Sequence, residues 1–169
     1  MQFTFVTLLA ATVALAAPSK TTGDRPSLVT RSETTHTVVV DQNGFSPSSV
    51  NPTKGDAILF HFSEGFHSVI ESTYSEPCEP LQGGFASGEF ITAMGDGRNK
   101  KGFVIDVFNT DPVWFYNGSQ GQCHKFGAVG VSFSPDTNTH NWEDFRARAL
   151  EKKRTTNVKK QTGGYVVIV

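Results

Sequence analysis

Val-Trp-Phe-Tyr-Asn-Gly-Ser-Gln-Gly-Gln-Cys-His-Lys-Phe-Gly-Ala-Val-Gly, residues 113–130, is the stretch on which the reading of this chain turns. It opens on the bulky run Val113-Trp114-Phe115-Tyr116, crosses a Gly- and Gln-rich turn, and returns in Val129-Gly130-Val131-Ser132-Phe133. Aromatic and β-branched runs bounded by turn residues read as strands. The same grammar holds upstream, in His36-Thr37-Val38-Val39-Val40, Ala57-Ile58-Leu59-Phe60-His61-Phe62, His67-Ser68-Val69-Ile70 and Phe103-Val104-Ile105-Asp106-Val107-Phe108. Asp41-Gln42-Asn43-Gly44, Lys54-Gly55-Asp56, Glu64-Gly65-Phe66 and Asn109-Thr110-Asp111-Pro112 punctuate these runs as turns. Residues 71–97 are rich in Gly, Pro and Ser and too irregular for a helix. Short strands without a helical period before residue 139 predict an all-β fold, an antiparallel sandwich or barrel.

One helix is expected beyond that sandwich. Asn141 is placed to cap a run from Trp142 to Lys153, with acids in its first turn and bases in its last. Trp142, Phe145, Ala149 and Leu150 form one apolar stripe to pack on the sandwich. Residues 155–164 read as disordered and residues 155–169 as a tail. Residues 1–17 read as a secretory signal peptide, uncharged from Phe3 to Ala17 and ending in Ala14-Leu15-Ala16-Ala17 before Pro18. That run falls short of the ~20 residues of a transmembrane helix, so no membrane span is expected. Residues 18–35 are polar and aperiodic, a flexible leader. The expected organisation is thus signal peptide 1–17, leader 18–35, β-domain 36–135, C-terminal helix 136–154 and tail 155–169.

Charge excludes one class of partner. The chain carries 15 Lys+Arg against 16 Asp+Glu, a net charge of −1, which makes no electrostatic case for nucleic acid. The basic run of Arg146, Arg148, Lys152, Lys153, Arg154, Lys159 and Lys160 reads as a solvated helix face and tail. Cys78 and Cys123 are the only cysteines. In a secreted chain one disulfide is the default, against a thiolate ligand or nucleophile as the competing role. Closing a loop of 45 positions stabilises by about 3–4 kcal/mol on loop entropy. Asn117-Gly118-Ser119 is an N-glycosylation sequon.

Taken in order, His36-Thr-Val-Val-Val, Phe45-Ser-Pro, Phe60-His-Phe, His67-Ser-Val, Glu76-Pro-Cys-Glu-Pro, Gly83-Gly-Phe-Ala-Ser-Gly and Val113-Trp-Phe-Tyr resemble the extracellular cupredoxin-like proteins of fungi, relatives of the plant phytocyanins. The resemblance runs from about His36 to Val131. It implies a Greek-key β-sandwich, a Cys78–Cys123 disulfide, and a site for type 1 copper built from two His, a Cys and an axial Met. His67 takes the place of the first ligand. Asn117, Gln122 and Ala128 stand where the Cys, the second His and the Met are expected. A type 1 site needs a thiolate and two imidazoles, so the resemblance implies a degenerate site, no copper cofactor and no electron transfer.

An alternative keeps copper in a type 2 site of His61, His67 and His124. His61 lies between Phe60 and Phe62, with its side chain opposite to both, and His124 follows Cys123. A glycan on Asn117 would lie over the copper-like pole and would require Asn117 to face solvent. No Gly-rich phosphate loop follows a strand and no Gly-x-Ser-x-Gly elbow occurs, so no enzyme is expected; acids such as Glu64, Glu71, Glu76 and Glu89 read as solvated. What remains is a secreted, extracellular, monomeric binding or structural domain with a cell-wall or other extracellular partner. Phe66, Tyr74, Phe85, Phe90, Tyr116 and Phe126 are candidate contact residues, although most of the 14 Phe must lie in the core.

Overall fold

A computed structural model describes residues 33–135 and 140–169; the expected signal peptide and most of the leader lie outside them. Two sheets stack face to face. In the first, the edge-to-edge order is β11 (Tyr165–Ile168), β8 (Arg98–Asp106), β4 (Ala57–Ser63), β1 (Thr35–Asp41) and β2 (Gly44–Ser46). The second runs β3 (Ser49–Val50), β10 (Val129–Ser132), β9 (Val113–Tyr116) and β6 (Ile70–Ser72). A two-stranded ribbon, β5 (Gly65–His67) with β7 (Phe90–Thr92), sits at one end. The all-β sandwich read from the sequence is the fold. It is mixed rather than purely antiparallel, because β1 pairs β4 and β3 pairs β10 in parallel. After β2 the chain crosses to the second sheet as β3 before returning as β4, and so enters alongside β1 from the same end.

Alternation decides what each face touches. Val38, Val40, Ile58, Phe60, Phe62, Phe103 and Ile105 point inward from the first sheet, against Phe45, Val50 and Phe115. The Phe115 ring meets Phe45 and Phe60 edge-on at 4.9 and 5.2 Å, the geometry that aromatic quadrupoles favour. Gly130 lies opposite Phe115 in the ladder, and that ring occupies the place a Cβ on residue 130 would take.

The outer face of the second sheet, Trp114, Tyr116, Val129 and Val131, is covered by α2 (Trp142–Glu151) through Phe145 and Ala149. Asn141 caps α2 as expected, its Oδ1 accepting from Asp144 N at 2.9 Å. Leu150 stays exposed, outside the apolar stripe.

Three expectations are corrected. A second, five-residue helix, α1 (Gln122–Phe126), precedes β10, bounded by Gly121 and Gly127 at φ 77° and 65°; it is too short to show a period. The tail is not disordered: Thr156 N donates to Cys78 O at 3.0 Å, Tyr116 Oη donates to Thr156 O at 2.8 Å, and β11 extends the first sheet. The basic run is not merely solvated, since Lys152 pairs with Glu76 and Arg154 with Glu79, both in the irregular segment. Cys78 and Cys123 form a disulfide. Among the described residues, no helix is long and apolar enough to cross a membrane.

Candidate functional site

His67 ends β5, beside the turn that begins at Glu64, and is 2% exposed. Asn117 follows directly on β9 and is fully buried. The strands bring the two side chains together: Asn117 Nδ2 lies 3.1 Å from His67 Nδ1. The other imidazole nitrogen, Nε2, lies 2.9 Å from Glu64 O. A carbonyl only accepts, so Nε2 carries the proton and Nδ1 accepts from the Asn117 amide. Asn117 Oδ1 accepts from Ser68 N and Ser119 N, each at 3.1 Å. Ser68 Oγ accepts from Gly118 N at 3.1 Å.

The remaining copper-like positions belong to the same cluster. Asn117 N donates to Ala128 O at 2.9 Å, and Ala128 N donates to Gln122 O at 3.1 Å. Ala128 is buried, its Cα only 3.3 Å from where a Cβ on Gly44 would stand. Gln122 Oε1 is a buried oxygen without a hydrogen-bond partner. Hydrogen bonds thus link His67, Asn117, Ala128 and Gln122 in a chain, and a shallow depression of about 430 Å³ is lined by the first and the last of them. Asp41, Glu64, Met94 and Gln120 line it together with His67 and Gln122. Burial holds the His67 imidazole below the usual histidine range.

The type 2 candidates do not converge. His61 Nε2 bonds Asn99 O at 2.9 Å on the first sheet, and His124 Nδ1 bonds Thr155 Oγ1 at 2.8 Å on α1. Among the described residues, no three His, Cys, Asp or Glu side chains are grouped to hold a metal. In the sequon, the nitrogen a glycan would use is the one bonded to His67, inside a fully buried side chain. Of the candidate contact aromatics, Phe85, Phe90 and Tyr116 are buried, while Phe66 and Phe126 are exposed. Glu64 and Glu71 are not simply solvated: Glu64 Oε1 accepts from Gly95 N and Gly97 N, and Glu71 Oε2 accepts from Phe85 N. The sequence reading missed Ser68, whose hydroxyl and amide anchor the Asn117 loop; a small polar residue after a histidine carries no signal of its own.

No protein-family model matches the chain. Two curated fungal proteins, both from Arthroderma benhamiae, are similar to it. A probable GPI-anchored cupredoxin is 27% identical over 115 residues, covering 66% of this chain and 57% of the relative. An extracellular serine-rich protein is 26% identical over 114 residues, covering 66% of this chain and 43% of the relative. The chain thus spans about half the length of the curated relatives it matches. In sequence this all-β sandwich resembles the extracellular cupredoxin-like proteins of fungi.

Proposed function

We propose that this protein is an extracellular cupredoxin-like domain that binds no type 1 copper and acts by recognition or as a structural element, not by electron transfer or catalysis. The names of its relatives, one extracellular and one GPI-anchored, support a place outside the cell or at its surface, with a cell-wall or other extracellular partner. One observation carries the loss of copper: the Asn117 amide stands where a thiolate is needed and donates to His67 Nδ1. Both imidazole nitrogens are thereby engaged.

The donor set does not fit the metal. A thiolate sets the electronics and the tight hold of a type 1 centre, and a neutral amide replaces neither. Gln122 Oε1 is a buried oxygen without a hydrogen-bond partner, but it is a neutral, hard donor. Ala128 offers no donor at all. With the pole closed by hydrogen bonds, recognition falls to its rim, where Phe66 and Met94 expose apolar surface beside the depression.

The test is copper titration of the purified protein, read by elemental analysis and electron paramagnetic resonance. The expected result is no stoichiometric copper. A blue thiolate signal would overturn both the reading and the disulfide. One tightly held copper with a type 2 signal would restore a histidine site of His61, His67 and His124.

A further inference from the structure

The register of the strands defines a second pole. Ser63 pairs with Arg98 and Tyr116 with Val129 at the His67 end; Ile58 pairs with Ile105 and Val113 with Ser132 at the other. There the two sheets part around a cleft of about 340 Å³, at the lower end of the ~300–1,000 Å³ usual for small-molecule sites.

Its walls combine three features. Phe85, Phe108 and Phe133 supply aromatic surface. Phe108 is 77% exposed at the rim, although burying such a side chain would normally be favourable. Phe133 sits at φ 57°, a conformation costly for a bulky side chain. Second, both charged residues of the lining, Glu71 and Asp106, are acids, with no Lys, Arg or His among them. Glu71 Oε2 accepts from Phe85 N at 3.0 Å, with no bond to Oε1 among the described residues, while Asp106 Oδ1 accepts from Tyr165 Oη. Third, Ser132 Oγ has no hydrogen-bond partner, on a side chain that faces the interior between the sheets and is 1% exposed. Buried hydroxyls are ordinarily satisfied, so this one is free to bond a polar group that enters the cleft.

We propose that this cleft binds a small apolar ammonium, its cationic head held by Glu71 and Ser132 and its body laid on Phe85, Phe108 and Phe133. A cation answers the two acids, the only charged residues of the lining, and is attracted by aromatic faces, while an anion would be repelled by Glu71 and Asp106. Burial raises the Glu71 carboxyl above its usual range, and a bound ammonium would offset that cost of charge. The inference is independent of whether copper binds at the other pole, because none of these residues belongs to the His67 cluster.

Isothermal titration with phenethylammonium tests it, against the neutral phenylpropanol and the anionic phenylpropanoate, with NMR to locate the contact. Saturable binding of the ammonium, about tenfold or more tighter than either analogue, is expected. Glu71→Gln keeps an acceptor for Phe85 N and should weaken binding about tenfold. Phe108→Ala alters only a rim side chain, so it folds even if the Glu71 variant does not, and it should weaken binding severalfold. No saturable binding, equal affinity for the neutral analogue, shifts mapping elsewhere, or full affinity in Phe108→Ala would each overturn the proposal.

Discussion

Asn117 holds three partners with one planar amide, and its worth is set by what each would lose without it. Ser68 N, Ser119 N and His67 Nδ1 all point at it from buried positions. Leaving a buried donor or acceptor unpaired costs about 1–3 kcal/mol per group, partly relieved where the site relaxes. Asn117→Ala should therefore destabilise by about 2–4 kcal/mol, read by urea denaturation; a change under ~1 kcal/mol would mean that the cluster is not closed as described. His67 carries a pH consequence of the same burial. Its folded pKa lies below the unfolded value of about 6.5, so its contribution is complete above that pH and is lost as pH falls through the folded value. The melting temperature should drop on acidification below about 6.5, and His67→Gln should flatten that slope. An unchanged slope in the variant would assign the dependence to other groups. Asp56 acts in a separate window. Hydrogen bonds from Thr53 N, His36 and Thr34 N hold its carboxyl far below the carboxylate range, so its contribution is lost only as pH falls below about 4.

At the scale of elements, the C-terminal third decides how firmly the second sheet is covered. α2 lays Phe145 and Ala149 on Trp114, and the chain after it returns along the sandwich to pair β11 with β8. Removing residues 155–169 would strip Tyr116 Oη of its acceptor, leave Cys78 O without its donor and bare the edge of β8. The expected loss is about 2–3 kcal/mol, with a tendency to associate through the open strand. Unchanged melting of the truncated chain would show the tail to be loosely held. Neither this tail nor α1 was legible in the sequence, for different reasons. The tail's polar residues act through backbone carbonyls and single hydroxyls, such as Thr155 Oγ1 on His124, which leave no periodic trace. α1 is shorter than two turns and is delimited by glycines that equally mark a loop. Strand runs such as Ala57-Ile58-Leu59-Phe60 were legible because bulky apolar residues bounded by turn residues mark strands. The four positions at the His67 pole were picked out only through resemblance. Their hydrogen bonding, which buries Asn117, depends on contacts 49 and 50 residues apart.

Across the whole molecule, the two poles are joined by one core but stapled unequally. The disulfide ties the irregular segment at Cys78 to α1 at Cys123, next to the turn that carries Asn117. Ion pairs from Lys152 to Glu76 and Arg154 to Glu79 add a second, exposed fastening of the same segment to the end of α2. Exposed pairs contribute about 0–1 kcal/mol each, so the covalent link dominates. The cleft at the opposite pole has no such staple and rests on sheet packing. Replacing both cysteines by Ala should cost about 3–4 kcal/mol by freeing a loop of 45 positions in the unfolded chain. In hydrogen exchange, the same change should loosen the amides of residues 117–128 first. Protection at Ile58, Ile105 and Val113, around the second pole, should fall only with global unfolding. Uniform loss of protection in the reduced protein would contradict this division and make the disulfide a support of the entire sandwich. Selective loss would mean that the copper-like pole is held shut from outside the core, and that the ammonium cleft keeps its shape without it.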